Sequence, residues 1–155
     1  MRTVNQWLDE YGESHKNETN KFIHWICVPA IFFSITGLLY SVKLPFYLSE
    51  NFQLNLAVIV LLLAVIYYFM LSMPLGFGMF VFGLFCIALC FLIENYLPFT
   101  LWLFSLILFI AAWIGQFYGH KVEGKKPSFF KDLQFLLIGP MWLMSFVYKK
   151  MGLKY

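Results

Sequence analysis

The chain opens on a polar stretch, residues 1–21, which carries Arg2, Asp9, Glu10, Glu13, His15, Lys16, Glu18 and Lys21. Apolar residues then come in long unbroken runs, at about 22–42, 54–73, 75–93 and 97–118, with no charge inside any of them. Each run holds about 20 residues, enough at about 1.5 Å per residue to cross a hydrocarbon core of about 30 Å. An open sheet of four such segments would leave backbone groups unpaired in lipid, so the runs predict helices. Pro45 breaks the chain after the first run, and Met73-Pro74-Leu75-Gly76 predicts a tight turn between the second and third. Glu94 to Pro98 separates the third from the fourth, with Pro98 in the first turn of the fourth helix, where its missing N–H costs little. A further apolar stretch, 133–148, is shorter and is interrupted by Gly139-Pro140, which predicts a re-entrant or interfacial helical segment. The expected fold is a single all-α integral membrane domain over 1–155. It has four transmembrane helices, a loop at 119–132 and a short C-terminal interfacial segment.

Composition agrees. Of 155 residues, 61% are hydrophobic and 12% charged, and mean hydropathy is +0.75. A soluble domain carries about 25% charged residues, and a disordered chain has low hydrophobicity, so both classes are excluded. Aromatics at 21% suit rings at a bilayer boundary. The net charge of +3 is too small to argue for nucleic acid as a partner, and three cysteines make no disulfide framework. The polar start lacks the basic-then-apolar pattern of a secretory signal, so the first apolar run is expected to insert itself. With four crossings, ten of the eleven Lys and Arg fall on the side of the two termini and Lys43 alone falls opposite. The positive-inside bias then places both termini in the cytoplasm.

Against that apolar background the few polar residues carry the chemistry. The three histidines are His15, His24 and His120. Four crossings bring all three to the cytoplasmic end, since His15 and His24 flank the start of the first run and His120 follows the fourth. Spacings of three and four put side chains on one helical face. Tyr11 with His15, Asn20 with His24, and Gln116 with His120 and Glu123 are all spaced in this way. Each histidine alone reads as a hydrogen-bonded boundary residue; together with a carboxylate and amides they suit Fe, Zn, Mn or Cu. Cys86 and Cys90, mid-run among apolar residues, read as core, and Cys27, one turn from His24, reads as packing before lining. Gly76, Gly78 and Gly83 read as close helix contacts. No serine has an obvious base, and no phosphate-cradling glycine loop is present.

The pattern Tyr11-x3-His15-x4-Asn20-x3-His24-x4-Pro29 resembles the amino-terminal motif of the 2-hydroxy fatty acid dioxygenase family. Gln116-x2-Gly119-His120-x2-Glu123-x3-Pro127, followed by Gly139-Pro140, resembles its carboxy-terminal motif. The two blocks bracket the apolar runs, so the likeness covers nearly the whole chain. It departs at Cys27, where many members have glycine, which bears on the pocket beside His24.

The resemblance implies an Fe(II)-dependent oxygenase that shortens a 2-hydroxy fatty acid by one carbon with O2, by α-oxidation. It maps the metal ligands onto His15, His24 and His120. Three imidazoles leave room for a 2-hydroxy acid to chelate through carboxylate and hydroxyl. Glu123, Asn20, Gln116 and Tyr11 then orient imidazoles or hydrogen-bond substrate, with Glu123 alternatively a fourth ligand. Lys121, Lys125 and Lys126 are candidates to attract the substrate carboxylate. The implied setting is a bacterial inner membrane, or the endoplasmic reticulum of a eukaryote. The rival readings are a non-catalytic lipid- or haem-binding membrane protein and a zinc-dependent membrane hydrolase.

Overall fold

A computed structural model describes residues 2–124 and 129–155, with side chains left undescribed at 129–134. The elements run α1 (Val4–Gly12), α2 (Glu18–Tyr40), β1 (Lys43–Ser49), β2 (Phe52–Asn55), α3 (Leu56–Leu71), α4 (Met73–Tyr96), α5 (Leu101–Glu123) and α6 (Phe129–Lys150). Their ends follow from local chemistry. A capping box opens α1: Thr3 Oγ1 accepts from Gln6 N–H, and the Gln6 side chain accepts from Thr3 N–H. Asn17 caps α2, its Oδ1 accepting from the N–H groups of Thr19 and Asn20. Asn55 and Ser72 cap α3 and α4 in the same way. Gly124 ends α5 at φ 72°, a left-handed conformation that glycine adopts without a Cβ penalty.

Several sequence expectations are corrected. The polar N-terminal stretch contains a helix, α1, which the absence of a long apolar run concealed. The all-α expectation holds in six helices, with one element it did not name: residues after the first long helix pair as an antiparallel hairpin, Lys43 opposite Asn55 and Ser49 opposite Phe52. The expected turn at 73–76 contracts to Ser72, since Pro74 sits in the first turn of α4, where it needs no donor. Pro98 lies before α5, not within it. Residues 119–123 of the expected loop are helical, the last turn of α5. Gly139-Pro140 does not interrupt the last segment: α6 runs straight through it for 22 residues. Among the described residues, three helices, α2, α4 and α5, are long and apolar enough to cross a membrane. The remaining expected span, the second run, is α3, which has 16 residues and is about 24 Å long.

Helices α2 and α5 make the most extensive contact, and small residues set their approach. A Cβ on Gly37 would strike Ser105 Oγ, one on Gly115 would lie 2.6 Å from Cys27 Sγ, and one on Gly119 would strike Asn20 Oδ1. Cys27 is therefore a packing residue at this seam. The glycines singled out on α4 also mark approaches, Gly76 against Phe69 of α3 and Gly78 against Met144 of α6. Two core clusters occupy opposite ends. One joins Phe33, Tyr40, Ala57, Cys86, Cys90 and Leu101 beside the hairpin. The other joins α1, α2, α3, α4 and α6 through residues such as Tyr11, Val28, Tyr68, Met79 and Met141. Here Tyr68 Oη donates to Leu137 O (2.8 Å) and Tyr148 Oη to Pro74 O (2.6 Å), pinning α6 across the ends of α3 and α4. Residues 138–143 of α6 are all buried, so this segment is enclosed rather than spread on a surface. The outer faces of the long helices present Ile26, Leu63, Phe77, Phe85, Ile107 and Ile114 outward, far more apolar surface than a soluble monomer exposes.

Candidate metal centre

The second core cluster adjoins the polar residues. His15 lies in the turn after α1, His24 in the second turn of α2 and His120 in the last turn of α5. Their exposures are 3%, 0% and 8%. Ring centroids are 4.2 Å apart for His15–His24, 5.1 Å for His24–His120 and 5.6 Å for His15–His120. One ring nitrogen from each lies within 4.8 Å of the others, a group that could hold a metal ion.

The hydrogen bonds set two tautomers. His15 Nδ1 lies 2.6 Å from Tyr11 O, and His24 Nδ1 lies 2.9 Å from Asn20 O. A carbonyl oxygen only accepts, so Nδ1 carries the proton in both rings and Nε2 carries the lone pair. His24 Nε2 is buried without a hydrogen bond of good geometry among the described residues, and the Gln116 side chain is a polar group that interacts with this ring. Leaving such an acceptor unsatisfied costs about 1–3 kcal/mol. A hydrogen-bonded Nδ1 with a bare Nε2 is how an imidazole is prepared for a cation. The donor set therefore fits a transition metal.

The neighbouring positions divide the work. Tyr11 stacks on His15, centroids 4.2 Å apart at 12°, and Trp142 of α6 leans on both rings at 5.2–5.3 Å. Gly139 makes room for this stack, since a Cβ there would lie 2.9 Å from the Tyr11 hydroxyl. Thus Tyr11 and Asn20 orient the imidazoles through their carbonyls, a task the residue type does not reveal. Sequence spacing placed Tyr11 and His15 on one helical face; α1 ends at Gly12, and it is a turn, His15 N–H to Gly12 O at 3.0 Å, that brings His15 back under Tyr11.

Glu123 stands apart from the three-ring group. Its Oε1 accepts from Lys16 N–H (2.9 Å), and its Oε2 accepts from Asn17 N–H (3.0 Å) and Asn20 Nδ2 (3.0 Å). Asn20 Nδ2 also donates to Ser14 O (3.1 Å). Gln116 is buried one turn before His120. Lys121 is exposed, about 100° round the helix from His120, and does not join the group. Lys125 and Lys126 lie outside the described residues. Sequence reasoning missed Trp142, which carries no periodic signal within an apolar stretch, and the spatial roles of Gly119 and Gly139.

Comparison with known proteins meets this geometry. A model of the family described as 2-hydroxy-palmitic acid dioxygenase Mpo1-like matches residues 1–151. The 2-hydroxy-palmitic acid dioxygenase MPO1 of Saccharomyces cerevisiae is 32% identical over 145 residues, covering 92% of this chain and 78% of the yeast protein. No solved structure matches. The matched region contains all three histidines, Glu123 and Gly139-Pro140, and the chain belongs to the Mpo1-like family.

Proposed function

We propose that the chain is a membrane-embedded, non-haem Fe(II) dioxygenase that shortens 2-hydroxy fatty acids by one carbon through oxidative decarboxylation. His15, His24 and His120 hold the iron. The observation that carries this reading is the buried convergence of three imidazoles, two of them tautomerically set by backbone carbonyls. Bound iron supplies the one-electron chemistry with O2 that protein side chains lack.

The chain's own residues do the rest. The Tyr11 and Asn20 carbonyls hold Nδ1–H and so leave Nε2 of His15 and His24 as the lone-pair nitrogen. Tyr11 and Trp142 wall the His15 ring from water. The surrounding apolar helices suit a long acyl tail, since each methylene withdrawn from water is worth about 0.8 kcal/mol. A site at the end of the long helices lets the tail remain in the hydrocarbon while the hydroxy-acid head reaches the imidazoles. Lys121 supplies positive charge at that end for the carboxylate, a role the sequence also offers to Lys125 and Lys126, which lie outside the described residues. The reading places four crossings, α3 included, with both termini cytoplasmic on the strength of the Lys and Arg bias; a tilted neighbour or locally thinned bilayer accommodates the shorter helix.

The test is oxygen consumption and formation of the one-carbon-shorter acid by purified protein given Fe(II) and 2-hydroxypalmitate. Turnover that needs both O2 and iron, and is lost in His15→Ala, His24→Ala and His120→Ala, is expected. Absence of O2-dependent turnover, or full activity in all three variants, contradicts the reading. A Soret band on purification, or stoichiometric zinc with O2-independent hydrolysis, gives the result to the haem or zinc alternative.

A further inference from the structure

Two of the three imidazoles belong to one local unit. His15 lies in the turn from α1 to α2 and His24 in the second turn of α2, and their rings are the closest of the three pairs at 4.2 Å. The third is brought by α5, from the other end of the sequence. Helix contacts along the α2–α5 seam fix the direction of approach but not the last ångström at its end, where helix termini fray.

Glu123 sits at that end. It follows His120 by three residues, on the same face and about 4.5 Å further along the axis. Its carboxylate reaches across to the opposite unit and accepts three N–H groups there, from Lys16, Asn17 and Asn20. Asn17 is the N-cap of α2, so Glu123 satisfies a donor that the helix cannot satisfy itself, while Asn17 Oδ1 serves the next two. A carboxylate beside a helix N-terminus also meets the favourable end of its dipole. Asn20 completes the joint: its carbonyl holds His24, one amide hydrogen bonds Glu123 and the other bonds Ser14 O, and its Oδ1 lies over the Cα of Gly119, the residue before His120.

We infer that Glu123 is a positioning residue: its carboxylate latches the end of α5 to the α1–α2 turn and sets the distance of the His120 imidazole from the other two, so it governs metal affinity without touching the metal. The inference rests on the iron-site reading above. An amide cannot replace the carboxylate here, because all three groups facing it are donors and one end of the amide is a donor as well.

The test uses full-length protein in detergent, prepared anaerobically, with Fe(II) and with Co(II) as a spectroscopic stand-in. Competition with a chelator gives the dissociation constant, and unfolding with and without metal gives the stabilisation that metal adds. For Glu123→Gln the latch predicts a 10–100-fold weaker metal affinity, the usual consequence of losing an outer partner of a ligand. It also predicts an altered Co(II) visible spectrum and a smaller metal-induced gain in melting temperature. Glu123→Asp, which keeps the charge on a shorter arm, is expected to fall between Gln and wild type. Glu94→Gln at the opposite end of the bundle is expected to match wild type in every metal readout. If Glu123→Gln lowers apo and metal-loaded stability equally and leaves affinity and spectrum unchanged, the residue is merely structural and the inference is overturned. If neither Glu123 variant folds, a structural role again accounts for it and the inference fails. Wild-type protein that retains no metal defeats the iron-site reading and the latch with it; wild type that binds one metal beside an indifferent Glu123→Gln defeats the latch alone.

Discussion

At the hairpin end of the bundle, polar side chains such as Asn55 and Lys43 find partners close by. Asn55 is fully buried, yet its amide donates to Gln53 O at 3.2 Å and its Oδ1 caps α3 through Val58 N–H at 3.3 Å. Lys43 lies 3.9 Å over the Tyr40 ring and 2.7 Å from Glu94. Cys86 and Cys90 fill space among apolar neighbours. At the histidine end the arrangement is the reverse. Three imidazole rings are buried against one another, and the carbonyl bonds at Nδ1 of His15 and His24 leave Nε2 as the lone-pair nitrogen in each. Among the described residues, buried polar atoms without a hydrogen bond also occur at Ser105 Oγ and Trp113 Nε1; what sets the histidine end apart is that a ligand nitrogen from each of three rings converges within 4.8 Å, an arrangement that could hold a metal ion.

The comparison breaks most readily at the rings. Replacing His15, His24 or His120 by Ala is expected to abolish metal retention and O2-dependent turnover, whereas Tyr40→Phe at the other end retains both; elemental analysis and oxygen uptake read the difference. Next in size is the metal itself. Fe(II) at about 100 times its dissociation constant should raise unfolding free energy by about 2.7 kcal/mol in wild type and by nothing in His24→Ala, measured by anaerobic denaturation. Two glycines then give opposite signs. Gly119→Ala drives a methyl into Asn20 Oδ1 and should cost about 1–3 kcal/mol together with metal affinity. Gly83→Ala has only the Leu61 methyls near, at 3.8 and 3.9 Å, and should be neutral or stabilising by up to about 1 kcal/mol. The smallest effect belongs to the half-exposed Lys43–Glu94 pair: Glu94→Gln should cost less than about 1 kcal/mol and leave metal content unchanged.

What the chain disclosed in advance tracks which forces act locally. Unbroken apolar runs announced the long helices, because backbone satisfaction in lipid permits little else, and the placement of His15, His24 and His120 around those runs brought them to one end. The hairpin stayed hidden: seven residues containing Pro45 and facing only four partners carry little alternation. Helix α1 stayed hidden because its apolar face is short and its partner, α6, lies at the far end of the sequence. Gly139-Pro140 looked like a break, yet α6 continues through it, with Gly139 giving room to Tyr11. In the candidate site, the spacing found Asn20, Tyr11, Gln116 and Glu123 but not what each does. Carbonyls rather than side chains of Tyr11 and Asn20 hold the rings, and Glu123 bonds backbone more than a hundred residues away. Such roles arise from tertiary approach, which no spacing encodes.

The central proposal is that three imidazoles from the two ends of the sequence bind a single iron. X-ray absorption at the iron edge, on anaerobically purified protein with metal content measured in the same sample, addresses it directly. One iron per chain, with three imidazole nitrogens at bonding distance and the signal lost in each His→Ala variant, is predicted. Protein that retains no iron, or iron whose ligand shell is unchanged when His24 or His120 is replaced, contradicts it.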